Sequence, residues 1–254
     1  MKIRMIGTGY GECKIKRTVS KDYRGRGGVL IDDTILLDAP ADIKDTADGL
    51  GLTDTLTGIT DVLISHSHEG HFSSAAIDFI AKRRKVRVYA SREVLVQLSD
   101  NPNIVKYEIN AFSQFAVGKY SVTALPSNHS TENLSEECFN FLFIGDSSLL
   151  YALDGGWING RAFNVLRHAR LDAIIFDTAL EAAAPSEKSL YHNGIYTLAT
   201  VKAIFESCGM IHEKTRIILS HIPTDKRRSI HDELSPIAAK YGFTLSYDGY
   251  FARI

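Results

Sequence analysis

The segment "LISHSHEGHF", residues 63–72, places three histidines, His66, His68 and His71, within six positions at the end of an apolar run. The residues leading into it, "DVLISHS", read as a short buried strand. Those that follow, "SSAAIDFIAKRRK", have helical spacing, with serines to cap the start and cations suited to a helix C-terminus. The histidines therefore stand where a strand gives way to a loop, a place at which a rigid scaffold presents reactive groups. In an extended segment residues i and i+2 share a face, so His66 and His68 can converge on one ion, with His71 arriving from the next turn.

Outward from this segment, strand-like runs recur. "KIRMI", "GGVLID", "TILLDA" and "VRVYAS" lie in the first half; "YSVTAL", "FNFLFI", "SLLYAL", "DAIIFD" and "RIILSHI" lie in the second. A second helical pattern, "NGIYTLATVKAIFESCGM", stops at Gly209. Hairpins are expected at Asp32-Asp33 and at Gly145-Asp146-Ser147, so the sheets should be largely antiparallel or mixed rather than doubly wound and parallel. No linker, repeat or low-complexity run divides the chain, which is read as one domain over residues 1–254.

The 254 residues carry 29 Lys and Arg against 30 Asp and Glu, a net charge of −1, so no global field draws the chain to nucleic acid or an anionic membrane. The basic runs "KRRK" (82–85) and "DKRR" (225–228) lack interleaved aromatics and read as solvated helix ends and loops. The opening residues have no signal-peptide pattern and no window is apolar enough to span a membrane, which gives the expectation of a soluble cytoplasmic protein. Cys13, Cys138 and Cys208, odd in number and far apart, fit neither a disulfide framework nor a metal knuckle and are expected to be buried thiols.

Further imidazoles and carboxylates sit at other strand ends: His129 in "LPSNHS", Asp154 in "YALDGG", Asp177 in "IIFDTA", His192 in "YHNG" and His221 in "ILSHIP". The order HxHxxH, lone His129, Asp154 and His221 resembles the metallo-β-lactamase-fold hydrolases. "GTGYGE" and "ILLDAP", with Asp38, resemble the opening strands of that family. Within it, the spacing and the closing "SYDGYFARI" look most like the phosphodiesterase of the carbon–phosphorus lyase pathway, with the tRNA 3′-processing endonuclease next.

The resemblance implies an α/β fold, a four-layer αββα sandwich of two mixed sheets flanked by helices. It also implies a metal-dependent hydrolase with one or two divalent ions per chain, zinc, manganese or iron. His66, His68 and His129 would bind one ion, Asp154 would bridge, and His71 and His221 would belong to the second. Asp38 would steady the ligand loops. His192 would be catalytic beside Asp154, stabilising the transition state or protonating the leaving alkoxide.

Two departures from the family pattern stand out. The usual carboxylate before the last histidine is Gly70 here; glycine's backbone freedom would let a rearranged loop aim Glu69 at the metal as a substitute ligand. The N-terminal cysteine cluster of the phosphodiesterase, which holds a structural zinc, is reduced to Cys13. The expected substrate is a small or cyclic phosphate ester that Arg24 and Arg26 could reach. The competing readings are a noncatalytic or weakly active binding relative, and the tRNA endonuclease, whose glycine- and lysine-rich arm has no counterpart in this chain. A homodimer is the default assembly.

Overall fold

The computed structural model of the protein describes residues 1–11, 21–225 and 227–254. Cys13 and Lys226 therefore lie outside the described residues. Among the described residues fourteen strands form two sheets of seven. The first sheet takes β1 (Lys2–Gly7), β2 (Gly28–Ile31), β3 (Ile35–Leu37), β4 (Asp61–Leu63), β5 (Val86–Ala90) and β6 (Ile104–Glu108) in chain order, with the C-terminal β14 (Phe251–Arg253) added beside β1. The second takes β7 (Gln114–Val117), β8 (Tyr120–Pro126), β9 (Phe139–Ile144), β10 (Leu149–Ala152), β11 (Leu171–Asp177), β12 (Ile211–Ser220) and β13 (Phe243–Leu245), also in chain order. In each sheet three antiparallel pairings are followed by three parallel ones. The sheets are thus evenly mixed rather than largely antiparallel.

Alternation along the strands sorts the apolar residues into three layers. Val29, Ile31, Ile35 and Leu37 face inward and meet Phe139, Phe141, Phe143 and Ile175 of the other sheet. Leu30 and Leu36, one residue out of phase, face outward and pack on helices α1 (Ile43–Gly49), α2 (Thr53–Leu56), α3 (Ser74–Ile80) and α4 (Arg92–Leu95). On the far side, Leu150, Ile174 and Leu219 pack on α5 (Gly160–Leu166), α6 (Ile195–Ser207) and α7 (Ile230–Lys240). The architecture is the αββα sandwich. Continuous apolar runs such as "GVLI" are buried on both faces, which is why they do not alternate with polar residues.

Local signals behave as their chemistry dictates. The Asp32-Asp33 turn has φ of 48° and 61°, the two left-handed residues of the hairpin class whose twist matches its strands. The Ser73 side chain accepts from the Ala76 amide to start α3, and Gly209, at φ 68°, follows the end of α6. Helix α3 closes at Ile80, leaving Lys82 to Lys85 exposed beyond it. Cys138 is buried as expected, but Cys208 is exposed because it lies just past the last turn of α6. No described helix is long and apolar enough to cross a membrane.

Candidate metal centre

Strands β3, β4, β8, β10, β11 and β12 all end at one edge of the sandwich, and each hands a polar residue to the same place: Asp38, His66, His129, Asp154, Asp177 and His221. Open sheets bind ligands at the carboxyl ends of their strands for this reason. Asp38, Asp154 and His221 have φ of 60°, 50° and 55°. Left-handed backbone is costly outside glycine, and here it turns the chain sharply so that the side chain at the strand end points into the site.

Asp154 is the hub. Its Oδ2 lies 2.9 Å from His71 Nε2, 3.5 Å from His66 Nε2 and 3.9 Å from His129 Nε2. Its Oδ1 lies 2.9 Å from His221 Nε2 and 3.4 Å from His192 Nδ1. His68 Nδ1 stands 3.1 Å from both His66 Nε2 and His129 Nε2. The six histidines predicted from the sequence are therefore brought together around the predicted aspartate. Three overlapping groups could hold an ion: His66, His68 and His129; His66, His71 and Asp154; and Asp154, His192 and His221. The resemblance paired His71 with His221, whereas here the two approach opposite oxygens of Asp154.

The donor atoms fit a cation. Ligands about 2.0–2.1 Å from a tetrahedral centre stand roughly 3.3 Å from one another, and the 3.1 and 3.5 Å separations around His66 are of that size. Asp154 Oδ1, His71 Nε2, His192 Nδ1 and His221 Nε2 are buried without a hydrogen-bond partner, although they crowd together at contact distance. Buried polar atoms left unpaired are costly. Lone pairs that converge on a common point, not on one another, are what a metal ligand set presents.

The shell behind the ligands is built as firmly. Asp38 is fully buried; its Oδ2 accepts from His71 Nδ1 at 2.8 Å, Tyr151 Oη at 2.7 Å and Ser65 Oγ at 2.9 Å, and its Oδ1 accepts from the Ser65 amide at 2.7 Å. Glu136 accepts from the Ser67 amide and from Thr131 Oγ1, tying the HxH loop to the loop after His129. The charges settle accordingly. Burial pulls His71 down, but Asp154 and Asp38 outweigh it and hold it up at about 10. His192 is likewise raised to about 10 against its burial by Asp154 and Asp177. Burial keeps His66 well below its ordinary value and takes His129 to about 4. Burial would raise Asp154, yet His221 and His71 beside it keep it well below the carboxylate range.

The ligand edge opens into a cleft of about 200 Å³. Arg26 lines it, but Arg24 does not reach it: Arg24 is fully buried, donating to Thr8 Oγ1 and the Ser246 carbonyl. Glu69 is not brought to the cluster. Its side chain is 80% exposed and accepts from Arg26 Nη2 at 2.7 Å, and Gly70 lies outside the left-handed region, so no distorted loop turns Glu69 inward. Two residues were missed from the sequence as members of the site. The Tyr10 ring lies 5.2 Å from that of His192 and 4.8 Å from that of His221, held there by main-chain pairing of Thr8 and Tyr10 with Ile222. Asp177, although singled out as a strand-end carboxylate, gained no role there; its Oδ2 stands 3.8 Å from His192 Nδ1.

Residues 33–222 match the family model described as the beta-lactamase superfamily domain, which spans most of the chain and every residue of the cluster. The chain belongs to this superfamily. Among solved structures it is similar to the metallo-beta-lactamase fold protein YhfI from Bacillus subtilis, at 15% identity over 99% of both chains with a TM-score of 0.74. It is also similar to a diphosphatase of the PhnP family, at 16% identity over 100% of this chain and 97% of the other (TM-score 0.70). Human tRNase Z, short form, matches at 16% identity over 100% of this chain and 99% of the other (TM-score 0.72). No curated protein matches the chain by sequence. At these identities the neighbours show that the superfamily member has the metallo-β-lactamase fold; its substrate has to be read from its own cleft.

Proposed function

We propose that the protein is a metal-dependent phosphodiesterase acting on a small or cyclic phosphate ester. The observation that carries this reading is the convergence of five imidazoles on the two oxygens of Asp154, with His68 beside two of them, at the floor of an open cleft whose wall carries Arg26. His66, His68 and His129, with Asp154 Oδ2, would hold a divalent ion, zinc, manganese or iron. Such an ion supplies Lewis acidity toward a phosphoryl oxygen and makes water nucleophilic at neutral pH.

The chain's own residues do the rest. The Arg26 guanidinium, free to exchange its exposed partner Glu69 for a phosphate, binds and orients the ester through paired N–H donors. Asp38 fixes the tautomer of His71 so that Nε2 faces the site. The small cleft favours a compact ester over a folded nucleic acid. The test is hydrolysis of bis(p-nitrophenyl) phosphate and of cyclic phosphodiesters by protein stripped of metal and reloaded with zinc, manganese or iron in turn. Turnover that returns with metal and falls at least about 100-fold in His68→Ala and Asp154→Ala is expected; metal binding without turnover on any ester would leave a binding protein of the same fold.

A further inference from the structure

Gly70 removes the carboxylate that the family pattern places on a second ion, and Glu69 is diverted to Arg26, so the question is what replaces it. Three buried atoms without hydrogen-bond partners face one another on the far side of Asp154 from His66: Asp154 Oδ1, His221 Nε2 and His192 Nδ1. Oδ1 is 2.9 Å from the first nitrogen and 3.4 Å from the second. A fourth orphan, Asp177 Oδ2, adjoins the same His192 nitrogen at 3.8 Å, while Asp177 Oδ1 is occupied by the Asn193 amide. His71 Nε2 faces the other oxygen, Oδ2, and groups with His66 and Asp154, while its Nδ1 is held by Asp38.

We infer that the chain has rebuilt its second cation site from His192: Asp154 Oδ1, His221 Nε2 and His192 Nδ1 hold the ion, and Asp177 supplies the negative charge that residue 70 lacks. This rests on the reading of the cluster as a metal centre. It changes the part assigned to His192, which becomes a ligand instead of a proton donor to the leaving group. Imidazole with carboxylate suits zinc, and neutralising a dication with two buried carboxylates offsets the cost of burying them. Position 70 has room for the lost group: a Cβ built there meets nothing within 4 Å, and its backbone is not left-handed.

The experiment is zinc titration of metal-stripped protein, read as ions per chain by elemental analysis after gel filtration, with cobalt(II) absorption reporting the ligand field. The full chain should take two ions. His192→Ala and the milder His192→Gln should each take one, the second being weakened at least about 100-fold. Adding Gly70→Asp to His192→Ala should restore two. His68→Ala, in the first group, should lose the other ion and keep the His192-dependent one. If His192→Ala and His192→Gln both retain two ions, or the unaltered chain takes one ion that neither variant changes, the rebuilt site is wrong and the hydrolase reading survives on the first ion alone. No zinc or cobalt bound by the unaltered chain would overturn both.

Discussion

Asp38 Oδ2 lies 2.8 Å from His71 Nδ1, and the opposite ring nitrogen of His71 lies 2.9 Å from Asp154 Oδ2. One buried carboxylate thus orients an imidazole onto another. Because Asp38 also accepts from Ser65 and Tyr151, it joins the strand ends of both sheets at the base of the site.

Replacing Asp38 with alanine leaves the Tyr151 hydroxyl, the Ser65 groups and His71 without their acceptor. Unpaired buried donors cost about 1–3 kcal/mol each, so the variant should lose at least about 3 kcal/mol of stability in urea unfolding. Asn at the same position keeps the volume and part of the bonding. It should fold, and should bind metal about 10–100-fold more weakly, as loss of an outer hydrogen-bond partner does.

Metal binding should release protons. Asp154 and Asp177 raise His192 to about 10, so before an ion binds a proton occupies at pH 7 the lone pair that the inferred second site needs. The ion competes with that proton, and apparent affinity for the second ion should therefore rise with pH from 6 through about 10. Calorimetric titration in buffers of different ionisation enthalpy measures the release; binding independent of pH over this range would contradict the assignment.

Arg26 and Glu69 form a pair that an anionic ester must open. Arg26→Ala should raise KM for a phosphodiester about 10–100-fold with kcat less affected, since a charge-assisted contact contributes about 1.5–3 kcal/mol. Glu69→Gln removes the competitor and should lower KM modestly. Steady-state kinetics of both variants decide this, and the opposite sign for Glu69→Gln would exclude Arg26 as the anion-binding group.

Phe141 is fully buried between the two sheets. Phe141→Ala opens a cavity that β-strands fixed by hydrogen bonds on either side cannot close, and should cost about 3–5 kcal/mol in chemical denaturation.

The strands read from the sequence are interior to their sheets. The four that were not read, β6, β7, β13 and β14, are the four sheet edges. Edge strands are short and half exposed, so "IVKYE" and "FAR" lack the apolar run that marks a buried strand. The helices α1, α2, α4, α5 and α7 also escaped the sequence reading. Most are one or two turns long, too short for a helical period to show, and packing against the sheets rather than propensity holds them.

The sequence by itself determined which side chains stand at strand ends, because a two-residue period and a strand's length are local properties. His66, His68, His129, Asp154 and His221 follow from that. Tertiary structure alone decided what those residues meet, since strand ends far apart in the chain adjoin only through sheet register and the stacking of one sheet on the other. That register buries Arg24, leaves Arg26 in the cleft, lays Tyr10 beside His221 and brings Asp177 to His192. It also left Glu69 in solvent, where a carboxylate pairs with the nearest guanidinium instead of paying the desolvation needed to reach the cluster.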